Sequence, residues 1–270
     1  MNVTPTLRAA ARGAALLLVG LAACRPPSDE VIRINPKSFD AADEAAIARR
    51  LVSESWRNEN VAVIEPDRGE FTDGAYHYLR PLVTSLVQQG AVTRRDSFAW
   101  EVHLVLDAEP HAYTLPGGQI VVHTGLLVDL ADEAECVGIL AREVALAETG
   151  AAMAALDRQV EDNVTLGDMI LGNLVPLDHV IEALPTLRYT PAEVAAADSL
   201  AALLVCDTDY EERGLTRAAT GFDELAAYHE ARPTDLAWAA RFDADVAACP
   251  GADSLYAARY REMVARFVPR

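Results

Sequence analysis

Residues 115–149 constrain this chain more than any other stretch. Leu115-Pro116-Gly117-Gly118 is a turn signal, because proline fixes one backbone angle and glycine tolerates left-handed ones. Gln119-Ile120-Val121-Val122-His123 follows as a short β-branched run and predicts a strand. From Leu126 onward the chain is alanine- and leucine-rich, with Val137, Leu140 and Val144 on an apolar helix face. Gly125 and the acidic Asp129, Asp132 and Glu133 precede that helix, where negative charge meets the positive end of the helix dipole.

The flanking sequence fills in the class. Residues 40–57 alternate apolar and charged positions at helical spacing. Leu79, Leu82, Val83, Leu86 and Val87 give residues 70–89 a second amphipathic helix, while Trp100 to Leu106 alternates with period two and reads as a strand. Residues 151–170 read as helix, interrupted around Gly172 and Pro176. A further helix starts at Tyr189-Thr190-Pro191, where proline suits the first turn, and runs to about Val205. Two or three C-terminal helices complete the chain. With no repeat and no sign of a second domain, the expected class is α+β, predominantly helical: a small sheet packed on helices in one domain over residues 40–270.

The N-terminus carries a different kind of signal. Arg8 and Arg12 precede the apolar run Ala14 to Gly20, and Leu21-Ala22-Ala23-Cys24 closes it with small residues. A positive start, a short apolar core and a small-residue exit predict a secretory signal over residues 1–23, too short to span a bilayer. Leu-Ala-Ala-Cys resembles a bacterial lipobox, which implies lipidation at Cys24; the alternative is ordinary cleavage near Ala23. Residues 24–39, polar and proline-containing, read as a tether. The expected location is therefore the bacterial cell envelope, lipid-anchored. Arg25 after the cysteine favours the outer membrane, facing the periplasm.

Charge limits the partners. With 23 basic and 41 acidic residues the net charge is −18, which argues against nucleic acid or anionic lipid as a ligand. Membrane attachment would come through the lipid alone. The cysteines left after Cys24 are Cys136, Cys206 and Cys249, and an exported chain with three thiols has room for one disulfide and one free thiol. Cys136 sits in the apolar helix as a small hydrophobe, so Cys206–Cys249 is the expected pair.

Residues 100–149 resemble zinc metallopeptidases of family forty-eight, the group of HtpX, BepA and the CAAX prenyl protease. The resemblance is carried by Trp100 to Leu106, by His111-Ala112-Tyr113-Thr114-Leu115-Pro116-Gly117-Gly118, and by Ile120 to His123. Thr124-Gly125-Leu126-Leu127 and Asp132-Glu133-Ala134-Glu135 then run into the site helix. Tyr189-Thr190 and Ala197-Asp198 resemble the family's Glu-x-x-x-Asp helix, and Cys249-Pro250 is a weaker match to a His-Pro pair. The resemblance implies a zincin-like, gluzincin-type fold. It also implies a substrate-edge strand at Ile120, Val121, Val122 and His123.

The metal ligands that the resemblance implies are missing. Where the family has His-Glu-x-x-His, this chain has Arg142-Glu143-Val144-Ala145-Leu146. If Asp198 is the family's aspartate, the third ligand position is Val194; Glu193 is adjacent but turned about 100° around the helix. A catalytic zinc needs three protein donors and a water. Arginine stays protonated, and leucine and valine carry no donor atom. Glu143 is left as a vestigial general base, since the metal is what lowers the pKa of the attacking water.

Two consequences follow for a site without its ion. Arg142 supplies a counter-charge to Asp198, Glu193 or Glu135, or else it points to solvent and pairs locally. Leu146 and Val194 fill the former metal cavity. Histidines at 77, 103, 111, 123, 179 and 229 share no i,i+3 or i,i+4 spacing, and His103 and His123, on strands, face each other or solvent. Ser97, Ser199 and Ser254 lack a Gly-x-Ser-x-Gly context. The expectation is a catalytically inactive peptidase-like lipoprotein that needs no cofactor and binds an envelope protein or unfolded polypeptide as a chaperone or assembly module. The alternative is an active zinc endopeptidase with a non-standard metal site.

Overall fold

The computed structural model describes residues 41–57, 61–66, 70–163, 184–221 and 238–265. The signal, Cys24, the tether, and the interruption at Gly172 and Pro176 lie outside the described residues. Nine helices and four strands occur among those described. In chain order they are α1 (Ala41–Ser55), β1 (Val63–Ile64), α2 (Glu70–Val87), β2 (Glu101–Val105), β3 (Ala112–Leu115), β4 (Gln119–His123), α3 (Thr124–Asp129), α4 (Glu133–Glu148), α5 (Ala151–Asn163), α6 (Pro191–Cys206), α7 (Gly214–Gly221), α8 (Trp238–Val246) and α9 (Ala257–Val264). None of these helices is long and apolar enough to cross a membrane.

The sheet order is β1-β2-β4-β3. β2 and β4 run parallel, with His103 opposite Val121 and Val105 opposite His123. β3 folds back antiparallel on β4, with Thr114 opposite Ile120. This corrects one expectation. Ile120, Val121, Val122 and His123 do not form an edge: β4 is hydrogen-bonded on both sides and buried along its whole length. β3, whose residues belonged to the turn in the sequence reading, is the outer strand on that side. The physical reason is the tight Pro116–Gly118 turn, which reverses the chain directly and makes Ala112–Leu115 the neighbour of β4.

That turn depends on its glycines. Gly117 and Gly118 have φ of 74° and 83°, a region that costs side-chain-bearing residues energy. A methyl group on Gly117 would press against Ala45 of α1, and one on Gly118 against the Trp100 ring. α1 can therefore lie directly on the turn.

Alternation along the strands divides the sheet between two layers. His103, Val105, Tyr113, Leu115 and Val121 face Val52 of α1 and Trp56 just beyond its end. On the other face Thr114 reaches Glu143 of α4. α4 is buried from Glu133 to Glu148 on every side, so it is the central helix of the domain. It starts at the N-cap Asp132, whose side chain accepts from Glu135 N–H, and Gly150, at φ 78°, follows its last turn. Gly138 lets α7 approach closely: a methyl there would run into the backbone of Leu215.

The acidic entrance of α4 is neutralised from the far end of the chain. Glu133 is fully buried and is held by Tyr78, Tyr210 and Arg259, with Arg259 Nε at 2.7 Å. Arg217 bridges Asp132, Glu135 and Glu211 at 3.0, 2.7 and 2.9 Å. Burial raises the Glu135 carboxyl above its usual pKa in spite of this cation. Cys206 and Cys249 are disulfide-bonded with Cα atoms 5.0 Å apart, and Cys136 is a buried free thiol.

Candidate functional site

Four of the residues singled out in the sequence meet on α4 and α6. Arg142 and Glu143 lie mid-way along α4 with no solvent exposure. Val194 and Asp198, one helical turn apart, lie on the buried side of α6. Thr190 caps α6 with a reciprocal capping box: its hydroxyl accepts from Glu193 N–H, and the Glu193 carboxylate accepts from Thr190 N–H. The box, with Pro191 in the first turn, fixes where α6 begins, and Val194 and Asp198 lie on its buried side.

Asp198 is the carboxylate that Arg142 meets. Arg142 Nη2 donates to Asp198 Oδ2 at 3.1 Å, and Nε lies 2.7 Å from Oδ1 as an ion pair. The planar guanidinium fork matches the carboxylate in this two-point arrangement. The other two candidates are engaged elsewhere. Glu135 is bound by Arg217. Glu193 takes two 2.7 Å hydrogen bonds from Arg158. Burial alone would raise the Glu193 carboxyl, but the Arg158 hydrogen bonds hold it below its usual value.

Glu143 is also enclosed. Thr114 Oγ1 lies 2.9 Å from its Oε2 and 3.0 Å from its backbone oxygen, so one hydroxyl ties β3 to the helix. Leu146 and Val194 are core residues. The position therefore holds a buried ion pair with aliphatic packing.

The histidines occupy separate environments. His103 and His123 share a sheet face two residues apart along the strands, and both are buried. His103 Nε2 is 2.7 Å from Gln119 Oε1, and its ring meets Trp56 edge-on. His123 lies against His111 and Tyr113, with centroids 5.5 and 6.0 Å away, and His111 Nε2 is 2.7 Å from Pro185 O. Among the described residues no group of three or more His, Cys, Asp or Glu could hold a metal.

Burial pulls the pKa of both His103 and His123 below the usual value. A base with a lowered folded pKa contributes stability that is full above its unfolded pKa, about 6.5, and is lost as pH falls toward the folded value. The expected result is that wild-type Tm drops more steeply than that of His103→Gln/His123→Gln when pH is lowered from 7.5 to 5.5. Parallel curves would contradict it. Raised carboxyls such as Glu135 titrate alike in both proteins and cancel in the difference.

Residues 76–149 match the model of Peptidase family M48. This segment is similar to that family. The match runs from α2, through β2, the Pro-Gly-Gly turn and β4, to the residue after α4, so it includes Arg142, Glu143 and Leu146 and stops before Val194 and Asp198. No curated protein matches the chain. The mostly helical architecture with a small mixed sheet agrees with the zincin-like fold that the M48 family implies. The family also implies zinc, and the donor set here does not fit it. Arg142 presents a fixed positive charge, while Leu146 and Val194 present hydrocarbon. Thr114 and the Arg158–Glu193 pair escaped the sequence reading. A hydroxyl in the interior of a strand was the only signal for the first, and the second joins residues 35 apart.

Proposed function

We propose that this chain is a non-catalytic member of its peptidase family. It works as an exported, lipid-anchored module that binds a polypeptide partner in the bacterial envelope. The observation that carries the reading is the two-point Arg142–Asp198 ion pair at the family's metal position. A guanidinium supplies the positive charge that Asp198 would otherwise find in the ion, and it activates no water. The zinc endopeptidase alternative needs three donors converging on one point. Because Glu143 and Thr114 are enclosed, a partner is held on another face of the domain.

The anchor rests on Arg8, Arg12 and Leu21-Ala22-Ala23-Cys24. The acidic surface is consistent with a protein rather than a nucleic acid as partner. The test of the catalytic half is direct. Purified mature chain leaves casein intact with zinc present, and Glu143→Gln behaves the same. Casein cleavage that disappears in Glu143→Gln overturns the proposal. Attachment is tested separately: Cys24→Ala moves the protein from the membrane fraction to the soluble one, and unchanged membrane association removes the lipid from the account.

A further inference from the structure

The first helix meets the sheet across a narrow, mostly apolar seam. Val52, Ser55 and Trp56 line one side, and His103, Tyr113 and Val121 line the other. The space a water could occupy there is about 10 Å³, the lower limit for holding a single molecule. Among the described residues lining the seam, His103 is the one that can gain a proton near neutral pH.

Its hydrogen bonding decides where that proton goes. The Gln119 amide nitrogen donates to Ala99 O, so Gln119 Oε1 faces His103 Nε2 at 2.7 Å and accepts from it. Nε2 already carries hydrogen, and Nδ1 takes the added one. The charge so formed is poorly received. Burial is the largest influence on the ring and disfavours its charged form. Glu101 on the same strand favours the charge, and Arg80 of α2, 3.7 Å from Glu101, opposes it. Tyr113 of β3 is a phenol that burial keeps neutral, and β1 brings Val63. The indole of Trp56 lies 6.1 Å from the imidazole. On α1 itself, Glu44 is paired with Arg94 at 3.0 Å, and Glu54 with Arg50 and Arg57.

The helix across the seam is peripheral. Ala45 and Ala48 rest on the Gly117 turn, and the Glu44–Arg94 pair ties the same half of α1 to the loop before β2. The other half has only the seam, where Trp56 is 40% exposed. Elements of this kind open at less cost than the whole fold. A free helix of 15 residues is marginal in water, so an undocked α1 exposes its amides. We propose that α1 is an acid-released lid: protonation of His103 lifts it from the sheet and uncovers Val105, Leu115 and Val121. The proposal needs neither the Arg142–Asp198 reading nor the membrane anchor.

The test is amide hydrogen exchange of the full mature chain at pH 7.5 and 5.5, corrected for the intrinsic pH dependence of exchange and read on α1 against α4. An imidazole that titrates near 6.5 only when α1 is free shifts the opening by at most about tenfold across this range. Exchange of α1 relative to α4 rises about three- to tenfold in acid. His103→Gln abolishes the rise. His123→Gln keeps it, since His123 lies on the same sheet face but does not line the seam. Glu44 is no substitute for His103: burial raises its carboxyl, so acid favours its docked form, and it is present in every variant. No rise in α1, an equal rise in α4, an undiminished rise in His103→Gln, or a rise lost in His123→Gln overturns the proposal. The wild-type comparison of α1 with α4 decides it even if His103→Gln melts early.

Discussion

Replacing Arg142 with methionine lowers the stability of the domain by about 3–5 kcal/mol, as urea denaturation will measure. The cause is not the lost attraction of the pair. It is Asp198, left ionised or forced to take up a proton in a site where the guanidinium was its cation. Asp198→Leu produces a loss of the same order by taking the carboxylate away from Arg142, which has no solvent exposure. The two losses are not additive. Arg142→Met/Asp198→Leu recovers most of the stability, because a buried pair replaced by apolar groups of similar volume is often neutral or better. If the double variant shows the sum of the two single losses, the pair is not an energetic unit, and its proposed role as the replacement for an ion is lost.

Removing the disulfide is the second large effect. Cys206→Ser/Cys249→Ser opens a link across 43 residues, and loop-closure entropy sets the loss at about 4 kcal/mol in the chain-entropy treatment. The bond holds the end of α6 to the segment that carries Arg259 back to Glu133. That segment is otherwise joined by Glu211 N–H to Ser254 O at 3.1 Å and Ala252 N–H to Glu212 at 2.7 Å. Losses of that size separate a structural bond from an incidental one. A variant within about 1 kcal/mol of wild type would mean that the Arg259–Glu133 contact and these hydrogen bonds hold the segment without the disulfide.

The sequence made Arg142-Glu143-Val144-Ala145-Leu146 readable as the stretch where the family resemblance implies a metal motif, because a helical spacing is local. Arg142 and Leu146 are separated by four residues and sit at the end of an ordered series of turn, strand and helix signals. Local signals also sufficed for α1, α2, α6 and the parallel strands. They failed for the neighbours of β4. Period two marks a strand without saying what lies beside it. Even so, the unbroken apolar run Ile120-Val121-Val122 was itself a sign of a central strand covered on both faces. β3 was too short, at four residues, to stand out beside the glycine turn.

Long-range pairing was legible only as a set of options. Asp198 was one of three carboxylates offered to Arg142, 56 residues away; the other two, Glu193 and Glu135, are taken by Arg158 and Arg217. The arginines that neutralise the Asp132–Glu135 turn, Arg217 and Arg259, lie 85 and 126 residues from their partners and left no mark in local pattern.

The central proposal is that the Arg142–Asp198 ion pair stands where the family resemblance implies a metal. The measurement that tests it most directly is the zinc content of the mature protein, purified without chelator and equilibrated with a slight excess of zinc before gel filtration. The account predicts far less than one zinc per chain, with no difference between wild type and Glu143→Gln. One zinc per chain that is lost on replacing Asp198 or Glu143 would contradict it.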